Sequence, residues 1–297
     1  MNMEMQCADV KTNESHTFHF SKPVQQFMVG FSRCVVEYDR PDHHVKRISI
    51  DLTDCQKNNN EVVVKPQLKM NDNSNHKESA QSSVKIVVIA TVGDGNPNVQ
   101  LMSSVETNGS YFVHSNNPAF VKAALTYANV EYKGGDHHLN KYSSTIAPVI
   151  QGNKFSIQGK AKLQDNGKNS DEENVKGSAI ICDNPDQYIM CADFDSKVIG
   201  ESGTVCVGQV PDAFQHRDYD IACFINNYEV SFENKSSDHH VLKIEFDASL
   251  IEKHLIRNND KVYAKVGLRS YLVDNGEHPF NIPHNFISGF IIAFKNK

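Results

Sequence analysis

The residues best suited to chemistry in this chain are histidines, and they come in a pattern. Asp42-His43-His44, Asp136-His137-His138 and Asp238-His239-His240 are one tripeptide met three times. Imidazole and carboxylate are good ligands for zinc and other transition metals. Adjacent histidines on an extended chain point to opposite faces, so one copy does not easily give both rings to one ion. Three copies around a pseudo-threefold axis have another route. Each contributes one equivalent ring, and His44, His138 and His240 hold that position.

Two other roles fit the same tripeptides. An Asp at a strand start can cap backbone N–H groups of the preceding turn, with the neighbouring histidine bonding to backbone or to that Asp. The recurrence would then report ancestry and no chemistry, and this is the simplest of the three roles. The turns could instead present a recognition surface to a ligand or a neighbouring subunit. A proton-sensitive interface is a special case, because histidine titrates near neutral pH.

Other catalytic signals are weak. Val92-Gly93-Asp94-Gly95-Asn96-Pro97 lacks the Lys-Ser/Thr of a phosphate loop, and neither Gly-x-Ser-x-Gly nor His-Glu-x-x-His occurs. The turns Asn71-Asp72-Asn73 and Asp165-Asn166-Gly167 hold calcium-type ligands, but they lack the calcium loop's spacing and terminal Glu, so they read as solvated hairpin turns.

The segments around the tripeptides repeat as well. Each copy follows an apolar run that ends on an aromatic residue: Cys34-Val35-Val36-Glu37-Tyr38, Ala128-Asn129-Val130-Glu131-Tyr132 and Tyr228-Glu229-Val230-Ser231-Phe232. Upstream lie Pro23 to Phe27, Pro118-Ala119-Phe120 and Pro211-Asp212-Ala213-Phe214. Downstream, strands close on Met70-Asn71-Asp72-Asn73, Leu163-Gln164-Asp165-Asn166 and Leu272-Val273-Asp274-Asn275. Last come the apolar runs Val84 to Ala90, Val175 to Cys182 and Ile287 to Ala293. Landmarks recurring in one order mark a triplicated chain, with units 1–95, 96–184 and 185–297 joined at Asn96-Pro97 and Asn184-Pro185.

Strand signals dominate every unit. Ile244-Glu245-Phe246-Asp247 and Val262-Tyr263-Ala264-Lys265-Val266 alternate apolar with polar, and Glu61-Val62-Val63-Val64-Lys65 is β-branched. Phe120 to Leu125 and Leu250 to Ile256 are the short stretches with any helical character, and the first reads better as strand. The expected fold is all-β: three tandem homologous antiparallel β-sandwich units of about six strands each. The order of cues, a proline-aromatic entry, a polar turn, a strand and a closing apolar strand, resembles that of the six-stranded H-type lectin module. The resemblance implies a fold alone and carries no site residues across.

Composition narrows the function. The formal net charge is -6 and Lys and Arg form no stripe, so nucleic-acid binding has no electrostatic support. No apolar run reaches the ~18 residues of a membrane span. Seven cysteines without a CxxC pair, and a polar, acidic start unlike a signal peptide, read as a cytoplasmic protein with reduced thiols. No unit gains a distinctive cluster of acids, bases or nucleophiles. The expectation is a non-enzymatic structural protein without cofactor, self-associating into a ring, tube, shell or fibre. A multivalent carbohydrate-binding protein and a histidine-metal-dependent enzyme are the alternatives.

Overall fold

A computed structural model describes the chain apart from residues 1, 40–43, 75, 136, 166–167, 186–188, 212–213, 216–217, 233–239, 275–284 and 296–297. The first third forms β1 (Met3–Lys11), β2 (His16–His19), β3 (Val24–Glu37), β4 (Arg47–Asp51), β5 (Cys55–Asn58), β6 (Glu61–Val64), β7 (Gln67–Asn71) and β8 (Ser83–Val92). The second forms β9 (Val99–Glu106), β10 (Tyr111–Phe112), β11 (Phe120–Glu131), β12 (Lys141–Gln151), β13 (Lys154–Asp165), β14 (Lys168–Asn169) and β15 (Glu172–Cys182). The last forms β16 (Ile189–Asp195), the helix α1 (Ser196–Ile199), β17 (Ser202–Gln209), β18 (Tyr219–Ser231), β19 (Val241–Leu250), β20 (Ile256–Asn258), β21 (Lys261–Asp274) and β22 (Phe286–Lys295).

The fold is thus all-β with antiparallel sheets, and Phe120 to Leu125 is strand, as its residues imply. The segment from Leu250 to Ile256 forms no helix. The one short helix among the described residues sits elsewhere. It starts where the Asp195 side chain accepts from the Lys197 backbone N–H, an N-cap the apolar periodicity does not reveal.

Alternation explains the strands. Along β21, Val262, Ala264, Val266 and Leu268 are buried while their neighbours reach solvent in part. The last strand of each third is more continuously buried: Val84 and Ile86 to Ala90, Ala179 to Cys182, and Phe290 to Phe294. Each of those strands has a partner on both sides. Three two-residue hairpin loops, after Asn58, Gln151 and Asn258, begin with Asn59, Gly152 and Asn259 at φ of 49°, 61° and 54°. Asn and Gly are the residues that occupy that left-handed region at least cost.

Three large sheets share one strand order. They run β1-β8-β3-β19-β21-β17, β9-β15-β11-β4-β7 and β16-β22-β18-β12-β13-β10. Each begins with three strands of one third and continues into the preceding third of the cycle. The long strands β3, β11 and β18 make this possible, because each serves two partners. One edge pairs along most of its length with the last strand of its own third, and on the other edge its second half pairs with β19, β4 or β12 of another. An irregularity lies at the same place in each, between Phe31 and Arg33, Leu125 and Tyr127, and Ile225 and Asn227. Bulges bend a strand and raise its twist, which suits a strand that takes on a second neighbour partway along. Among the described residues, each large sheet thus draws its strands from two thirds.

In the first third the hairpin β4–β7 is broken. Its outer part, β5 and β6, pairs with β2 as a separate three-stranded sheet. Pro66 lies between β6 and β7 and has no N–H to continue a ladder. The uninterrupted β13 takes the equivalent course in the second third.

Candidate functional site

The sheet crossings bring the histidines together. Three backbone bonds close the cycle just beyond the long strands: Tyr38 N–H to Leu242 O at 3.0 Å, Tyr132 N–H to Lys46 O at 3.0 Å, and Phe232 N–H to Asn140 O at 2.9 Å. Each acceptor lies two residues after His240, His44 or His138. The residue directly after each histidine, Val45, Leu139 or Val241, is fully buried, as are the aromatic residues Tyr38, Tyr132 and Phe232. A buried aliphatic anchor on one side and a buried aromatic on the other fix where each ring stands. Val45 and His137 also exchange both backbone bonds, at 2.8 and 2.9 Å, tying two of the turns directly.

His44, His138 and His240 are half-buried and in mutual contact. The Nε2 atoms of His44 and His240 lie 3.0 Å apart. Ring centroids are 4.0 Å apart for His44 and His138, 4.8 Å for His44 and His240, and 5.4 Å for His138 and His240, whose planes are within 11° of parallel. One ligating nitrogen from each falls within 4.8 Å of the other two. At 3.0 Å one imidazole donates and the other accepts, so the pair can share a proton or offer lone pairs to a common cation.

His137 points elsewhere, as alternation along an extended chain implies. Its Nδ1 is 3.1 Å from Asp165 Oδ2, its Nε2 is 3.0 Å from Lys168 Nζ, and its ring lies 4.5 Å from that of Tyr132. Asp42, His43, Asp136, Asp238 and His239 lie outside the described residues. The structure thus gathers three of the nine tripeptide residues and places a fourth on a different network.

Asp72 accepts from the backbone N–H groups of Ser74 and His76 at 2.8 and 3.0 Å and pairs with His76 Nδ1 at 2.7 Å, so its oxygens serve the turn. Burial would raise its carboxyl, yet these hydrogen bonds hold it below its ordinary range. All seven cysteines are free thiols. Burial pushes Cys34 and Cys223 far up, Cys191 to about 12 and Cys55 to about 11, which leaves these four without thiolate character at neutral pH.

Two features escape sequence reading. The seams between thirds carry ion pairs: Arg33 to Glu245 at 3.1 Å, Lys46 to Glu131 at 3.8 Å, and Lys141 to Glu229 at 2.7 Å. A second apolar core gathers residues of all three thirds, among them Met28, Ala124 and Phe224. A Cβ on Gly30 would stand 2.5 Å from Phe224 Cδ1 and 2.9 Å from Ala124 Cβ. Gly30, Ala124 and Phe224 each lie two residues before the bulge of their strand. One equivalent position thus meets itself three times, filled by no side chain, a methyl and a ring. The polar residues Ser32, Thr126 and Asn226 at the bulges, each six before its aromatic landmark, are the signal that would have located it.

No family model matches this chain, and no curated protein matches it. Among solved structures it aligns with the crystal structure of the mavirus penton protein, at 11% identity over 99% of this chain and 100% of that one, with a TM-score of 0.14. A likeness of that size places neither fold nor function.

Proposed function

We propose that this protein is a non-enzymatic structural subunit: a single-chain pseudo-trimer that associates with further copies into a ring, tube, shell or fibre. Its units are three tandem homologous repeats, 1–95, 96–184 and 185–297, each a β-sandwich in ancestry whose strands are exchanged with the next. The observation that carries this reading is the common strand order of the three large sheets, with bulges in the same place and cyclic seams between thirds. A chain closed this way offers three similar outward faces, and repeated faces on a rigid body suit ordered association.

The sheet ends add support. β1, β9 and β16 are the end strands at equivalent positions, and end strands can be extended by strand addition from another copy. On the short end strand β10, Phe112 is 65% exposed beside a groove of about 400 Å³ that includes Gln26, Leu101, Met102 and Tyr111. Size-exclusion chromatography with light scattering, followed by negative-stain imaging, tests the reading. Ordered particles larger than the 33.3 kDa chain are expected, and a monomer at every concentration would sink it.

Carbohydrate binding is the second reading, favoured by the same groove. Two aromatic rings, Tyr111 and Phe112, stand among the amides of Gln25, Gln26 and Gln100. A glycan array showing no binding to any sugar class removes it.

A further inference from the structure

We propose that His44, His138 and His240 form a binding site for one divalent first-row transition ion, zinc in the first instance. The site ties the three segments together where the seams converge. This goes beyond the structural reading, since a closed pseudo-trimer does not require an ion.

Geometry carries the proposal. Zinc–imidazole bonds are about 2.0–2.1 Å, so two nitrogens on one ion stand about 3.0 Å apart at a right angle and about 3.3–3.4 Å apart at the tetrahedral angle. His44 Nε2 and His240 Nε2 are 3.0 Å apart, already inside that range. The widest separation among the three ligating nitrogens is at most 4.8 Å. Side-chain rotation of His138 closes that gap while its neighbour Leu139 stays anchored in the core.

The residue types agree. Neutral imidazole suits zinc, copper and nickel, whereas calcium and magnesium prefer oxygen. Three protein ligands leave a coordination position for water. The rings are half-buried, so an ion can enter without the core opening. Internal comparison points the same way. At the equivalent position two residues before the bulge the chain has placed Gly30, Ala124 and Phe224, whereas at this position it has kept histidine in all three thirds. A site needing three like donors explains that difference; a turn device needing one local hydrogen bond would not require the rings to meet.

The bond between apo histidines and the ion-bound state are distinguishable. Without metal, one ring of His44 and His240 donates its Nε2–H to the other across 3.0 Å; with it, that ring takes the Nδ1–H tautomer and both Nε2 atoms donate to the ion.

The test is made on full-length protein expressed without an affinity tag. The metal-free protein, prepared with a chelator, is titrated with zinc sulfate by calorimetry, and zinc per chain is then measured by elemental analysis after gel filtration. The proposal expects one ion per chain. At a hundredfold excess over Kd the melting temperature should rise by about 4 °C. Cobalt(II) in place of zinc gives a visible spectrum whose intensity reports coordination number. His44→Ala, His138→Ala and His240→Ala should each lose the ion and the thermal shift, with circular dichroism confirming that the variant is folded. His137→Ala should keep both. Fewer than about one ion per ten folded wild-type chains, with no thermal shift at saturating zinc, overturns the proposal. So does equal loss on His137→Ala. If a triad variant fails to fold, wild-type stoichiometry and the cobalt spectrum still decide. Metal content per chain is independent of particle mass, so this result and the assembly result fail separately.

Discussion

Gly30→Ala isolates the place where the three thirds meet. The added methyl would lie 2.5 Å from Phe224 Cδ1, 2.9 Å from Ala124 Cβ and 3.0 Å from Phe224 Cε1. Carbon atoms prefer about 3.5–4.0 Å, so the ring must retreat by roughly 1 Å. Phe224 and Ala124 are fully buried and have little room to do so. Overpacking of this kind costs about 1–3 kcal/mol. Replacing Gly by Ala within a strand returns roughly 0.5–1 kcal/mol of backbone entropy, leaving a net loss of up to about 2.5 kcal/mol. The assay is urea unfolding followed by circular dichroism, comparing midpoints at constant slope. The second arm is the cycle with Phe224→Leu, which withdraws the ring edge facing Gly30. In that background the cost of Gly30→Ala should fall by about 1 kcal/mol or more. Additivity within about 0.5 kcal/mol would mean that the two residues do not share the space, and the cyclic packing would be wrong.

Two further perturbations probe the seam and the surface. Burial would raise the Glu245 carboxyl, but Lys243 at 2.6 Å and Arg33 at 3.1 Å outweigh it and hold it below the ordinary glutamate range. A depressed carboxyl stabilises above its unfolded pKa and loses that contribution as pH falls through the folded value. Glu245→Gln should therefore cost about 1–3 kcal/mol at pH 7 by urea unfolding, with wild-type and variant converging toward pH 3. A gap of constant size across that range would show that the charge is not what matters. Phe112→Glu places a charge on the most exposed aromatic side chain of the end strand β10, and light scattering should show association weakened at least tenfold with the melting temperature unchanged. Unaltered association would remove this strand from the contact.

The strands were legible because their chemistry is local. β-branched runs and strict alternation at Val262 to Val266 or Ile244 to Asp247 read as strands whichever strand they pair with. The histidine turns were legible for another reason: a rare tripeptide repeated three times marks equivalent places, and equivalence with closure brings one ring of each to a common point. Which third each strand joins was not legible. The second half of β3 is a continuous apolar run that would suit any buried strand pair, and nothing in Cys34 to Glu37 names β19 as its partner. That choice is made by the bulges and by packing such as Gly30 under Phe224, where a glycine is informative only once its neighbour is known. The ion pairs at the seams are hidden likewise, since Arg33 and Glu245 are 212 residues apart. The Asp195 cap was readable in principle, but a four-residue helix has no apolar period to draw attention to it.

We propose that one chain closes on itself as three equivalent faces that build an ordered assembly. The most direct measurement is the mass and shape of the untagged full-length protein, by light scattering after gel filtration and by class averages of negatively stained particles. Regular particles that are integral multiples of the 33.3 kDa chain are expected, with a threefold-like outline in each subunit. A single species of one chain mass over a wide concentration range, with no ordered particles on the grid, would contradict it.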